Sequence, residues 1–195
     1  LLMCAFSAML GLGIISPFLP EFARQHGANG FWMAMIFAVF GISRGLIMPV
    51  AGRFSDRTGR KVFVSSGLLI YSATSLFYLP DHNIFTLMLV RFAHGLSAGM
   101  IMPIVMAYVA AISEEGREGA NMALLNTMFY IGLGLGPLAG GYLYHHFGMD
   151  PVFFSMAGLG LLTFLIVQFF LPDSRSSEDG GNVAKVPFNR LIRDN

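Results

Sequence analysis

An apolar run long enough to cross hydrocarbon recurs six times, over about 1–24, 31–52, 62–80, 84–112, 121–145 and 151–172. Roughly twenty residues of helix span a bilayer core, and in lipid an isolated strand leaves its backbone polar groups unsatisfied. The expected fold is therefore all-α, a polytopic membrane protein of six transmembrane helices. Charged residues make up only 12% of the chain, against roughly 25% in a soluble domain. The net charge of +1 argues against a nucleic-acid partner. Cys4 is the single cysteine, so no internal disulfide forms, and it reads as a small hydrophobe.

The spans are punctuated by Pro80, Pro151 and Pro172. Pro17, Pro49, Pro103 and Pro137 fall inside them and are expected to kink or locally thin the helices. Glycine is abundant, 23 of 195 residues, which suits helices that approach closely. Gly41/Gly45, Gly95/Gly99 and Gly132/Gly136/Gly140 repeat at i, i+4, each a smooth strip for a neighbouring helix.

Between the second and third spans lies Gly52-Arg-Phe-Ser-Asp-Arg-Thr-Gly-Arg-Lys61, read as a ten-residue loop with four cations and one carboxylate. Gly52 and Gly59 are expected to let it turn tightly and approach neighbouring helices. Counting cations over six spans places Arg53, Arg57, Arg60, Lys61, Arg117, Arg175, Lys185, Arg190 and Arg193 on one face, against Arg24 on the other. The cation-rich face is expected to be cytoplasmic, with both ends of the chain on that side of the inner membrane. Residues 173–195 begin with Ser, Gly and mixed charge and read as a cytoplasmic linker. The opening Leu1-Leu-Met-Cys-Ala-Phe reads as lying inside a first helix, and Val186-Pro-Phe-Asn-Arg-Leu-Ile as the start of a further membrane half.

A weak internal echo supports an architecture of two inverted three-helix repeats. Gly52-x-Phe54-x-Asp56-x-x-Gly59 returns as Gly141-x-Leu143-x-His145-x-x-Gly148, with Pro49 and Pro137 just upstream. Three spans per unit would put the second copy on the opposite membrane face.

These motifs resemble the amino-terminal half of a major facilitator superfamily transporter, most like the twelve-helix drug:proton antiporters. Gly52 to Lys61 is similar to the family signature between helices two and three, with Phe54 in place of Leu. Arg91-Phe-Ala-His-Gly95-Leu-Ser-Ala-Gly99 resembles the helix-four motif with its embedded arginine. Gly132-Leu-Gly-Leu-Gly136-Pro137-Leu-Ala-Gly140-Gly141 resembles the helix-five antiporter motif.

The resemblance implies a latch of Gly52, Asp56, Arg57, Gly59, Arg60 and Lys61, in which Asp56 caps a helix of a second six-helix half. The alternative is a plain positive-inside anchor. Family members often place an acidic residue at the cytoplasmic end of helix four to pair with the loop's arginine. This chain has Tyr108-Val-Ala-Ala111 there, leaving Glu114 or Glu115 as substitutes.

Arg91 lies about seven residues, roughly 10 Å, into the fourth span and must avoid lipid. It reads as a cavity-facing charge that tunes a proton carrier or contacts substrate, or else as a structural hydrogen-bonding hub. His94 either joins a proton relay or is a satisfied buried histidine, and Arg44 is similarly embedded or snorkels to the surface. For Gly132 to Gly141 with Pro137, the family implies a hinge and seal; the alternative is a simple packing face. No Asp or Glu falls deep in a span.

Ser97 in Gly95-Leu-Ser97-Ala-Gly99 fits a nucleophile-elbow pattern, but inside a helix, and Gly134-x-Gly136-x-x-Ala139 lacks the strand a dinucleotide site needs. A non-enzyme is expected; a six-helix intramembrane serine protease is the remote alternative. His145-His146 lacks further ligands, so no metal is implied. The reading is a secondary transporter exporting small lipophilic solutes against a proton gradient, with no cofactor and with the bilayer and a second half as partners. A metabolite or sugar exporter or uniporter is the alternative.

Overall fold

A computed structural model describes residues 1–79 and 83–171, the side chains of Arg57 and Thr58 aside. Its helices are α1 (Leu2–Ile15), α2 (Leu19–Gln25), α3 (Gly30–Thr58), α4 (Arg60–Leu76), α5 (Ile84–Ile112), α6 (Glu118–Phe147) and α7 (Asp150–Phe170), with no strand among the described residues. The linker expected over 173–195, with Arg175, Lys185, Arg190 and Arg193, lies outside them, as do Pro80 and Pro172.

The first predicted span is broken. Pro17 has no N–H to donate and its ring obstructs the preceding turn, while Pro20 fits the first turn of a new helix. The chain turns by 44° between α1 and α2. The other internal prolines, Pro49, Pro103 and Pro137, sit within uninterrupted helices. Asn29 and Asn83 start α3 and α5 by accepting from the backbone N–H of Trp32 and Thr86 at 3.1 and 2.9 Å. α3, α5, α6, α7 and the α1–α2 pair are each long and apolar enough to cross a membrane. The sixth span is α4, whose 17 residues begin on Arg60 and Lys61 and pack against α5 and α7.

The expected ten-residue loop is mostly helix. α3 continues through Gly52, Arg53 and Asp56 to Thr58, and the break is Gly59 alone, at φ 105°. Charges beyond the hydrocarbon boundary expel a helix from lipid but do not unwind it; a glycine at positive φ does end it.

Helix pairing carries the inverted repeat. α1 lies on α6 and α3 on α5; α4 meets α7; α4 meets α5 and α1 meets α7. Exchanging the first three spans for the last three interchanges α1–α6 with α3–α5 and α4–α5 with α1–α7, and returns α4–α7 to itself. The four glycines at positive φ obey the same operation: Gly27 with Gly116 and Gly59 with Gly148, each pair 89 residues apart. Gly59 and Gly148 play identical parts, closing α3 and α6 with N–H bonds to the Ser55 and Tyr144 carbonyls, both at 3.0 Å. An odd number of spans per repeat makes the copies antiparallel.

Among the described residues nothing lies within 4 Å of a Cβ added at Gly59 or Gly148, so the cost of substitution there is backbone strain. Gly59→Ala and Gly148→Ala are each expected to lower stability by about 1–3 kcal/mol. Thermal unfolding in detergent checks this, with similar losses for the two.

Candidate functional site

The α5 residues Leu87, Val90, Arg91, His94 and Gly95 all point inward. Arg91 is 2% exposed and His94 fully buried, so neither meets lipid. The guanidinium lies 4.5 Å from the Phe40 ring centroid and 5.7 Å from that of Phe37, both on α3. Cation–π contact is worth about 2 kcal/mol or more when desolvated. Its Nη1 donates to the Tyr78 hydroxyl at 3.5 Å, and that hydroxyl lies 3.3 Å from His94 Nδ1. The partners described for Arg91 are thus aromatic and phenolic, with no carboxylate among them.

Tyr71 completes the cluster, its ring 4.7 Å from His94. It occupies room left by two glycines. A Cβ at Gly11 on α1 would fall on the Tyr71 hydroxyl, and one at Gly160 on α7 would lie 2.9 Å from its Cδ1. Tyr78 stacks on Phe153 of α7 at 5.0 Å and meets Phe22 of α2 edge-on. Three buried polar atoms of these side chains have no hydrogen-bond partner among the described residues: the Tyr71 hydroxyl, Arg91 Nε and His94 Nε2. Arg44 is not among the cluster's bonds or ring contacts; it is half-buried one turn further along α3, its backbone against Gly99. The Ser97 hydroxyl donates to the His94 carbonyl at 2.7 Å inside α5, where it has no exposed nucleophile geometry.

The second feature is a seam. Gly132, Gly136 and Gly140 seat α6 directly on the backbone of α1: a Cβ at each would strike the Phe6 carbonyl, Gly13 and the Ile14 carbonyl respectively. Across from Gly136, a Cβ at Gly13 would lie 2.8 Å from the Leu133 carbonyl. Pro137 has deprived that carbonyl of its helical donor, so the Gly13 Cα–H points at an oxygen with spare capacity. Gly95 and Gly99 pack α5 onto α3 in the same way. The other strips do not: a Cβ at Gly41, Gly45, Gly52, Gly134 or Gly141 meets nothing within 4 Å among the described residues. An uncovered groove of about 370 Å³ also runs between α3 and α5, lined by Val39, Phe85, Met88, Leu89 and Phe92.

At the Gly59 end, Arg60 forks. Nη2 reaches Asp56 at 3.4 Å, and Nη1 donates to the carbonyl of Ala107 near the end of α5 at 3.2 Å. Arg60 thus reaches α5 through main chain, and Glu114 pairs with Arg117 at 3.8 Å. The Asp56 carboxylate is 60% exposed, so its ion pair contributes at most about 1 kcal/mol. Lys61 is half-buried in the first turn of α4. The Arg57 side chain lies outside the described residues.

Comparison with known proteins now bears on these features. A family profile described as Major Facilitator Superfamily matches residues 1–194. The chain belongs to the Major Facilitator Superfamily. Among curated relatives, the quinolone resistance protein NorA of Staphylococcus aureus is 31% identical over 176 residues, 90% of this chain and 45% of NorA. An uncharacterized MFS-type transporter of Methanocaldococcus jannaschii, MJ1560, is 30% identical over 168 residues, 86% of this chain and 44% of the relative. The chain thus spans about half the length of the curated relatives it matches. The superfamily is one of transporters rather than enzymes, and the six-span helical bundle makes this an integral membrane protein.

Of the residues brought together here, sequence reasoning had singled out Arg91, His94 and the helix-five glycines and had not singled out Tyr71, Tyr78, Phe40, Gly13 or Ala107. The available signal was the seven-residue spacing of Tyr71 and Tyr78, which continues the face of Tyr71 into the turn after α4, beside a span carrying Arg and His.

Proposed function

We propose that this chain is half of a proton-coupled efflux transporter for small lipophilic solutes, working by alternating access together with a second six-helix unit. The Arg91–Tyr78–His94 chain carries the reading. It places a titratable imidazole and a fixed cation inside a membrane bundle whose spans hold no deep carboxylate. Kinship with a quinolone resistance protein favours efflux, and the wholly apolar groove at Phe85 and Phe92 favours lipophilic cargo. The Gly59 end, with Arg53, Arg57, Arg60, Lys61 and Arg117, faces the cytoplasm on this account.

Asp56 and Arg60 form the latch of this scheme. Arg60 ties α3 to the end of α5 while the exposed carboxylate of Asp56 remains open to a donor from the second unit. Asp56→Asn is expected to cut transport at least about fivefold, or roughly 1 kcal/mol, with membrane insertion unchanged. Full transport by this variant would remove the latch.

The proposed function is tested in cells expressing the protein. Accumulation of a lipophilic dye should fall, and a protonophore should restore it. Dye levels indifferent to the protonophore would contradict proton coupling.

A further inference from the structure

Tyr78 belongs to the first three-span repeat and Arg91 and His94 to the second, so their hydrogen bonds cross the junction between repeats. Arg91 can only donate, which makes the Tyr78 oxygen its acceptor. Arg91 and His94 are the hydrogen-bond partners of that hydroxyl among the described residues, so its own proton is directed to Nδ1 of His94. A neutral imidazole that accepts at Nδ1 carries its proton at Nε2.

We propose that Tyr78 is a positioning residue that holds His94 as the neutral Nε2–H tautomer, and that the imidazole takes a proton only when the end of α4 withdraws from α5. This deepens the proton-coupled reading of the same site. The groups facing His94 are Phe40 from α3, Tyr71 and Tyr78 from α4 and the turn after it, and Arg91 on α5 itself. The titratable or charged ones are Tyr71, Tyr78 and Arg91, and only Arg91 carries a fixed charge.

The proton step balances simply. A proton from the aqueous phase bonds to Nδ1, Tyr78 keeps its own proton and turns it elsewhere, and the cluster gains one positive charge. With Tyr78 in place that step is opposed twice, because Nδ1 is already occupied by a donated hydrogen and Arg91 repels a second cation. Moving Tyr78 away relieves the first obstacle. The Tyr78 ring is held by stacking on Phe153 of α7, so withdrawal has to slide it along that face.

Nitrogen-15 spectra of histidine-labelled protein in lipid test the inference, with His94 assigned by difference against His94→Gln. The wild type is expected to show the Nε2–H tautomer at neutral pH, and Tyr78→Phe a mixture of tautomers. The same variant should move the pH at which His94 becomes cationic upward, since the donor that favours the neutral ring is gone. An Nδ1–H or cationic His94 in the wild type would overturn the proposal without any variant. So would a tautomer and titration unchanged in Tyr78→Phe. Expected spectra combined with transport indifferent to pH would instead leave Tyr78 in its place and reject proton coupling.

Discussion

Arg91→Met is expected to abolish pH-driven transport while leaving the bundle folded. The guanidinium is buried among Phe37, Phe40 and Tyr78, and among the described residues it has no carboxylate partner and its Nε no acceptor. A charge in that setting costs folding energy, and methionine keeps most of its volume without the charge. Cation–π contact and a charged hydrogen bond return about 2 and about 1.5–3 kcal/mol, against a burial penalty of several kcal/mol. The melting temperature should therefore hold or rise. Transport driven by a pH gradient should fall to background in a proteoliposome assay. A structural hub would behave differently, losing stability and transport together or keeping both.

Gly136→Ala should damage the seam between α1 and α6. The added methyl would fall on the Gly13 backbone, where no side chain can swing aside. Overpacking at such a site costs about 1–3 kcal/mol, and separation of α6 from α1 should reduce transport more than tenfold. The matched controls are Gly134→Ala and Gly141→Ala on the same helix, where the added Cβ meets nothing among the described residues. Both should be tolerated or slightly stabilising, because alanine is the better helix former by up to about 1 kcal/mol. Thermal unfolding and dye flux on the three variants distinguish a close-packed hinge from general glycine content in α6. Equal behaviour of all three would reject the seam.

That contrast shows what the sequence could carry. Gly41/Gly45, Gly95/Gly99 and Gly132/Gly136/Gly140 look alike as spacings, yet among the described residues only the second and third meet a neighbouring helix. Spacing defines a smooth face, whereas the partner that covers it depends on pairing between distant spans. The arginine and histidine of the buried cluster were legible for the opposite reason. Arg91 and His94 stand out in an apolar run because lipid would penalise them. Tyr71 and Tyr78 gave no comparable signal, since a phenol is unremarkable in a membrane helix until its hydroxyl is placed.

Two other readings turned on backbone rather than side chains. The stretch from Gly52 to Lys61 has the composition of a loop, but charged residues sustain a helix outside lipid, and only Gly59 takes the dihedral that ends it. Arg60 pairs with Asp56 on its own side of Gly59 and reaches α5 through the Ala107 carbonyl, a main-chain acceptor that side-chain types do not reveal. The repeat was visible at Gly59 and Gly148 and not at Gly27 and Gly116, whose kinship appears only in their shared positive φ.

Proton movement measured during transport bears most directly on the role given to Arg91 and His94. Proteoliposomes holding a pH-sensitive dye should show protons moving opposite to an added lipophilic solute, with Arg91→Met silent although it inserts and folds. Solute flux without proton movement, or undiminished proton movement in Arg91→Met, would contradict it.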